Sequence, residues 1–244
     1  MRIRSIISVF IAAALIGCAS DTVSERIQET HPNGEKKKVS YYQGRNLIRT
    51  TYFFEDGKIQ SDQFYKDGQP DSVATIYYKD GSKLKETTYQ AGKKHGPEKS
   101  WHENGQLKSE GNYVEDVPQG IAVTYYDDGT KASETTFKDG KKDGPDITYF
   151  ASGEKKHEKN YVAGDAHGVE KEWYDNGKPK MEQTWEKNIL HGPYTTYFKN
   201  GKIEEKGNYK EGAYDGKRLM YNEKGRKLSE ATFKDGELIE GRSF

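Results

Sequence analysis

The chain has 244 residues, its 39 basic and 39 acidic side chains balance, and its hydrophobic content is only 32%. Interspersed charges of both signs give no field that would attract nucleic acid, so we predict no nucleic-acid partner. So few apolar residues exclude a thick globular core and indicate either disorder or a thin sheet with one buried face.

The first predicted element is a secretion signal at residues 1–17. Two arginines precede an apolar run from Ile6 to Ile16, which is too short to span a bilayer as a stable helix. The run ends in LIGC at residues 15–18, which resembles the lipobox of bacterial lipoprotein precursors. The resemblance implies cleavage before Cys18 and lipidation of its thiol. The alternative is an ordinary signal peptide in which Cys18 is incidental.

Cys18 is the only cysteine in the chain, so no disulfide or cysteine metal cluster competes for it. Two or three acyl chains would hold the protein stably on a membrane. Because Ala19 and not aspartate follows the cysteine, the resemblance implies an outer-membrane or cell-surface location in the cell envelope. Residues 18–30 are polar without a period, and we predict a lipidated tether there.

From Tyr41 to Phe233 an aromatic residue recurs every 12 residues without a gap. Glycine recurs every 24 residues from Gly57 to Gly225, usually after aspartate or asparagine, which is the turn dipeptide of β-hairpins. A second glycine frame marks the opposite turn, where Asp116 and Asn188 replace glycine. Because these two residue types tolerate positive φ best after glycine, the replacements predict a left-handed backbone position.

The hairpin register decides which side chains share a face of the sheet. We predict that residues 127–129 form a three-residue loop with Gly129 in the left-handed bulge position. Simple alternation then puts all the 12-residue aromatics on one buried face, together with Ile121, Val123, Ile147, Leu107, Met181 and Ile203. The same alternation turns a glutamate row toward solvent, formed by Glu86, Glu110, Glu134, Glu158, Glu182 and Glu230.

The predicted fold is therefore all-β. It is an elongated single antiparallel β-meander of repeated 24-residue β-hairpins, with about 16–18 strands. The twist of such a sheet should coil it into a trough or a slender superhelix. A single hairpin cannot offset its own backbone entropy, so we expect neighbouring hairpins to stabilise each other.

A second aromatic set falls one residue after the first and is predicted to point outward. We treat this set as a candidate contact surface for a partner. Tryptophans of the 12-residue set are candidates for stacking on a glycan or an extended peptide, if the aromatic face is an open groove instead of a closed core. The candidate surface comprises Phe54, Tyr78, Tyr126, Phe150, Tyr174, Phe198, Trp101, Trp173 and Trp185.

No residue pattern predicts catalysis, a metal site or a cofactor. His95, His167 and His191 fall at equivalent turn positions. Because successive units are spaced by roughly 10 Å, these side chains are too far apart for one metal ion, and we interpret them as turn residues. Successive members of the glutamate row are equally distant, which is wider than a retaining glycosidase pair. The chain also lacks the GxSxG, HExxH, P-loop and CxxC motifs. We therefore predict that the protein is not an enzyme.

Units such as YFKNGKIEEKGNYKEGAYDG at residues 197–216 and WHENGQLKSEGNYVEDVPQG at residues 101–120 resemble the MORN-repeat variant of bacterial secreted and lipid-anchored proteins. The resemblance extends over residues 31–241, which we predict to be one repeat array. It implies a scaffold that binds proteins or lipids, and many relatives are grouped as antitoxin-like. Eukaryotic MORN repeats carry more glycines and a Tyr-x-Gly core that this chain lacks, so direct binding of lipid headgroups is not expected.

Three functional hypotheses follow. The first is a non-enzymatic, lipid-anchored envelope scaffold that binds a protein partner. The second is an antitoxin or immunity protein paired with a toxin. The third is a cell-wall or glycan-binding adhesion module. The first agrees best with a secretion signal joined to a repeat array.

Overall fold

The computed structural model describes residues 22–244, which form a 22-stranded sheet whose strands pair antiparallel with their neighbours along the chain. This confirms the predicted meander of successive hairpins. The strands are β1 (Val23–Thr30), β2 (Lys36–Gln43), β3 (Asn46–Phe53), β4 (Ile59–Lys66), β5 (Gln69–Pro70), β6 (Ser72–Tyr77), β7 (Lys83–Gln90), β8 (Lys93–Trp101), β9 (Leu107–Val114), β10 (Val117–Tyr125), β11 (Lys131–Lys138), β12 (Lys141–Tyr149), β13 (Lys155–Val162), β14 (Asp165–Ala166), β15 (Gly168–Trp173), β16 (Pro179–Glu186), β17 (Ile189–Tyr197), β18 (Ile203–Lys210), β19 (Ala213–Tyr214), β20 (Gly216–Tyr221), β21 (Lys227–Lys234) and β22 (Glu237–Ser243).

The strand number exceeds the predicted 16–18 for two reasons. Three strands of two residues each, β5, β14 and β19, are the first parts of strands that continue as β6, β15 and β20. The sheet also begins before residue 31, because Val23–Thr30 pairs with β2 as strand β1. All side chains of β1 are exposed, so the burial pattern that marks the other strands is missing from its sequence.

The three-residue loop is confirmed at one end of the strands. We call the row of these loops the loop edge. Gly129 has a φ of 85° and donates its N–H to the Tyr126 carbonyl at 3.0 Å, while the Tyr126 N–H reaches the Thr130 carbonyl at 2.8 Å. The loop therefore consists of residues 127–129, with the glycine in the left-handed position that L-residues adopt only at a cost. The same pair of bonds recurs in the loop at residues 151–153.

At their opposite ends, the strands are joined by two-residue turns in which both residues have positive φ. Asp139 has a φ of 51° and Gly140 a φ of 77° between the paired Lys138 and Lys141, as in a type I′ turn. Where glycine is replaced, Asp116 has a φ of 70° and Asn188 a φ of 67°. The predicted left-handed positions are confirmed.

The prediction that all the 12-residue aromatics share one face is wrong. Beyond the loop, Tyr125 pairs with Lys131 but Thr124 pairs with Ser133, so β11 carries one additional residue opposite Tyr125. This second bulge inverts the alternation between the two strands of the hairpin. Val123 consequently pairs with Glu134, and Phe137 pairs with Gly120.

We call the face that carries Val123, Tyr125 and Glu134 face A, and the face that carries Thr135 and Phe137 face B. Successive pairs from Glu86 to Glu230 continue one row across face A, so the glutamate row lies on the same face as half of the aromatics and not opposite all of them. By this register face A holds Tyr77, Trp101, Tyr125, Tyr149, Trp173, Tyr197 and Tyr221, and face B holds Tyr89, Tyr113, Phe137, Tyr161, Trp185, Tyr209 and Phe233.

Proline every 48 residues creates two kinds of hairpin that alternate along the sheet. The prolines pair with asparagines, as Pro97↔Asn112, Pro145↔Asn160 and Pro193↔Asn208, whereas the intervening positions pair with threonines, as Val73↔Thr88, Ile121↔Thr136 and Val169↔Thr184. The Thr88 hydroxyl donates to the Pro97 carbonyl at 3.0 Å, and the Thr184 hydroxyl to the Pro193 carbonyl at 3.2 Å. A hairpin with a threonine thus contacts the next hairpin with a proline.

The sheet has little core in the usual sense. Among the described residues only Val39, Ile147, Ala166 and Tyr194 are buried hydrophobic side chains. Most of the aromatic residues are half-buried, as expected for a single layer that has solvent on both faces. Stability must therefore depend on contacts between neighbouring hairpins.

Candidate functional site

Hydrogen bonds at both ends of the strands join each hairpin to the next. At the tight turns, the Gly164 N–H donates to the Lys142 carbonyl at 2.8 Å and the Asn188 N–H to the Ala166 carbonyl at 3.0 Å. At the three-residue loops, the Asn176 amide donates to the Lys199 carbonyl at 3.0 Å and the Asn200 amide to the Glu223 carbonyl at 2.9 Å. Loops and turns thus stack in register, which fixes the spacing of any repeated surface.

The aromatics predicted to point outward are half-buried at the loop edge. The hydroxyls of Tyr78, Tyr126 and Tyr174 donate to the carbonyls of Trp101, Tyr149 and Tyr197, at 2.8, 2.7 and 2.7 Å. These three side chains therefore hold the next hairpin. Phe54, Phe150 and Phe198 occupy the same position without a hydroxyl, and a partner-binding role for the six residues stays a prediction.

The three candidate tryptophans do not form one surface. By strand register Trp101 and Trp173 lie on face A, and Trp185 lies on face B. The Trp185 indole donates to Glu170 at 2.6 Å and the Lys159 ammonium lies 3.8 Å from the centre of its ring. Trp185 is therefore part of an internal cluster.

Face A carries an apolar stripe near the tight turns, formed by residues of the strands that open each hairpin. Val73 is 39% exposed, Ile121 54% and Val169 42%. The members alternate with prolines and succeed one another every second strand, about 10 Å apart. The apolar stripe consists of Val73, Pro97, Ile121, Pro145, Val169 and Pro193. Simple alternation predicts that Ile121 is buried, and this prediction is wrong, so the sequence alone does not reveal the stripe.

Face B buries carboxylates among cations, hydroxyls and aromatic rings. Glu170 is only 7% exposed and accepts hydrogen bonds from Gln183 at 2.6 Å, Trp185 at 2.6 Å and His157 at 2.7 Å. Glu205 accepts two bonds from the Arg218 guanidinium, both at 2.8 Å, and one from the Tyr194 hydroxyl. Such carboxylates are stable in a buried place only because their oxygens are paired.

These donors also set the protonation of the buried carboxylates. Burial alone would raise the pKa of Glu170, but the hydrogen bonds from Gln183, His157 and Trp185 outweigh it and lower the pKa. The pKa of Glu205 is lowered in the same way, against burial, by Arg218 and Tyr194. Neither carboxylate is therefore suited to act as a proton donor near neutral pH.

A groove of about 610 Å³ lies at the loop edge between two successive hairpins. Its lining comprises Thr148, Phe150, Lys156, His157, Glu172, Trp173, Tyr174, Asp175, Lys180 and Lys199. Strand register puts Thr148, His157 and Glu172 on face B. Two carboxylates in it are paired, Glu172 with Lys180 at 2.8 Å and Asp175 with Lys199 at 2.7 Å.

The predicted turn role of the histidine positions agrees with the contacts of their counterparts. Asp143, which replaces histidine in its unit, accepts the Ala163 N–H at 3.2 Å, and His191 Nδ1 accepts the Glu211 N–H at 3.5 Å. Within residues 22–244 no group of three His, Cys, Asp or Glu side chains could hold a metal ion. The same part of the chain has no helix of the length and apolarity needed to cross a membrane.

The predicted signal peptide at residues 1–17 and the lipidation site Cys18 lie outside the described residues. The tether predicted at residues 18–30 lies only partly within them, since strand β1 occupies Val23–Thr30. Signal, lipidation and location in the envelope stay predictions.

The geometry defines a class of protein, an open β-hairpin repeat protein with a single-layer sheet. Five segments, residues 49–67, 94–115, 118–139, 166–187 and 190–211, match the family model described as MORN repeat variant. The chain therefore carries MORN-variant repeats, and this kind of all-β repeat fold is generally a non-catalytic scaffold. No curated protein sequence matches the chain.

Solved structures with long alignments to the chain are the crystal structures of TcdB2-TccC3, TcdB2-TccC3-Cdc42 and TcdB2-TccC3-TEV, at 10%, 11% and 12% identity. Each alignment covers 87% of this chain but only 18%, 17% and 17% of the other, with TM-scores of 0.17, 0.16 and 0.16. The chain thus spans less than a fifth of those proteins. Likeness at this level supports no argument about fold or function.

Proposed function

We propose that this protein is a non-enzymatic scaffold, anchored to a cell envelope by lipid on Cys18, which binds a protein partner through the apolar stripe of face A. The observation that carries the proposal is the exposure of Val73, Ile121 and Val169 at a regular spacing on a sheet edge fixed by stacked turns. Exposed apolar groups arranged contiguously are typical of protein contact surfaces.

The charge distribution supports a protein partner over a charged surface. Formal charges cancel over the whole chain, and the polar positions paired with the stripe are the uncharged residues Thr88, Asn112, Thr136, Asn160, Thr184 and Asn208. Uncharged threonine and asparagine beside apolar groups favour a contact made by burial and hydrogen bonds. We therefore expect complex formation to be nearly independent of salt.

The test uses cross-linking in intact cells of the native source, followed by capture of the full-length protein. The stripe variant combines Val73→Thr, Ile121→Thr and Val169→Thr, which keep β-branched side chains but remove apolar groups. The control is Ile76→Thr, because Ile76 lies on the same strand as Val73, is 40% exposed against 39% for Val73, and points to the opposite face.

We expect the stripe variant to lose the cross-linked partner and the Ile76→Thr control to retain it. An unchanged set of partners in the stripe variant would reject the stripe as the binding surface. A second arm replaces Phe54 and Phe198 by alanine, and loss of the partner in this arm alone would assign binding to the loop edge.

Anchoring is tested separately by labelling with radioactive palmitate. The wild-type protein should incorporate label and sediment with membranes, and Cys18→Ser should do neither. Label in the serine variant would contradict lipidation at this residue.

A further inference from the structure

The groove at the loop edge differs in its charged residues from the same place in the preceding hairpin. Asp175 replaces Ala151, and Lys199 replaces Asp175. Lys156 and His157 replace Ala132 and Ser133, and Glu172 replaces Thr148. The aromatic positions are kept, with Phe150 and Tyr174 in the groove and Tyr126 and Phe150 one repeat earlier. This groove therefore has charged and imidazole side chains beside aromatic residues that both hairpins carry at the same repeat positions.

The added charges leave the groove cationic. The carboxylates of Glu172 and Asp175 are neutralised by Lys180 and Lys199. The Lys156 ammonium lies 5.8 Å from the centre of the Phe150 ring, and among the described residues it has no carboxylate within ion-pair distance. One positive charge therefore remains for an anionic ligand.

The imidazole in this groove is held by a buried support. His157 Nε2 bonds to Glu170, which is 7% exposed and is itself fixed by Gln183 and Trp185. The other ring nitrogen, Nδ1, has no partner within residues 22–244, and because Nε2 donates to Glu170, Nδ1 can accept a hydrogen bond from a ligand hydroxyl. A ring held in this way loses little rotational freedom when it binds.

From this geometry we infer that the groove binds an acidic saccharide, that is, a carbohydrate chain with carboxylate groups. The ligand carboxylate bonds to Lys156. Sugar hydroxyls donate to His157 Nδ1 and bond to the Glu172–Lys180 pair, which offers both an acceptor and a donor. Apolar faces of the sugar rings pack on Phe150 and Tyr174. The groove is open along the sheet edge, which suits a chain better than a small molecule.

The inference does not rest on the apolar stripe, because Thr148, His157 and Glu172 lie on face B. Failure of one proposal would therefore leave the other unaffected. The groove gives a defined site to the hypothesis of a glycan-binding module.

The experiment is calorimetric titration of the purified full-length protein with hexameric galacturonate, with a neutral hexasaccharide of glucose and with hexaglutamate. We expect galacturonate to bind and the other two to bind at least about tenfold more weakly, since each lacks either the charge or the sugar rings. Raising the salt concentration should weaken the galacturonate complex.

The deciding variant is Lys156→Ala with His157→Ser, which restores the residues of the preceding hairpin. We expect a loss of affinity of about tenfold or more with no change in the circular dichroism spectrum. The reciprocal variant, Ala132→Lys with Ser133→His, introduces the same two residues one repeat earlier and should add a second binding site.

Three outcomes would overturn the inference. One is no galacturonate binding at millimolar concentration, and another is binding that the Lys156/His157 variant leaves unchanged. The third is equal or tighter binding of hexaglutamate with the same residue dependence, which would assign the groove to an acidic peptide.

Discussion

Face A and face B are built from the same 24-residue repeat and yet differ in what they bury. Face A shows the apolar stripe to solvent and carries lysine–glutamate pairs such as Lys131–Glu134 at 2.8 Å. Its one buried carboxylate is Asp62, which accepts from Arg49 and Thr51 near the start of the described residues. Face B encloses Glu170 and Glu205 with several donors each. The exposed apolar groups are therefore placed for contact, whereas buried ion pairs and aromatic rings hold the sheet together.

Removing the Glu170 carboxylate should have the largest effect on stability. Glu170→Ala leaves the donors of Gln183, Trp185 and His157 without an acceptor, and we expect a loss of about 3 kcal/mol in the free energy of unfolding. The matched change on face A, Glu182→Ala, should cost less than about 0.5 kcal/mol because the side chain is 42% exposed and its ion pair with Lys171 is long, at 3.7 Å. Urea unfolding followed by circular dichroism measures both. Equal losses would mean that the two faces do not differ in this way.

Acidification should weaken the buried carboxylate clusters of face B. Burial opposes ionisation of Glu98, Glu170 and Glu205, but their hydrogen bonds dominate and lower each pKa below the ordinary 4.5. A depressed folded-state pKa gives stability that is complete above 4.5 and is lost as the pH falls through the folded-state value.

We therefore expect the thermal midpoint to be constant from pH 7 to 5 and to fall below about 4.5. The variant Glu170→Gln should show a smaller fall in this window than the wild-type protein. A midpoint that falls equally in both would argue against Glu170 as a source of the pH dependence.

The hydroxyl contacts between hairpins should have an intermediate effect. Tyr126→Phe removes the bond to the Tyr149 carbonyl at 2.7 Å and should cost about 1 kcal/mol. The reverse change, Phe198→Tyr, introduces a hydroxyl at the same repeat position and should stabilise the sheet slightly. Urea midpoints of the two variants should move in opposite directions, and a shared direction would contradict the assigned role.

The smallest expected effect is at a tight turn. Ala163 has a φ of 52°, a conformation that asparagine adopts more readily than alanine. Ala163→Asn should therefore raise the free energy of unfolding by about 0.5 kcal/mol. Thermal unfolding of the two proteins checks the sign, and destabilisation would indicate that the Ala163 side chain has a packing role.

The repeat, its hairpins and both kinds of turn could be predicted because glycine, aspartate and asparagine mark positions where positive φ is required. The face of each aromatic could not, because the additional residue opposite Tyr125 is an alanine with no turn signal. One residue is enough to exchange the two faces of a strand. Simple alternation therefore placed Ile121 and the glutamate row wrongly.

The sites were harder to predict than the fold. Glu170 is 13 residues from His157 and 13 residues from Gln183 in sequence. The three side chains meet only through strand pairing. Strand β1 could not be recognised because none of its side chains is buried. Within the apolar stripe, Val73 and Val169 resemble ordinary strand residues until the register shows that nothing covers them.

The most direct test of the account is the register between β10 and β11. In a Cys18→Ser background, Thr124→Cys with Ser133→Cys should form an intramolecular disulfide on mild oxidation, because the two residues are partners and their hydroxyl oxygens lie 2.6 Å apart. Thr124→Cys with Ala132→Cys should remain reduced under the same conditions. Preferential oxidation of the second pair would place all the aromatics on one face and contradict the account.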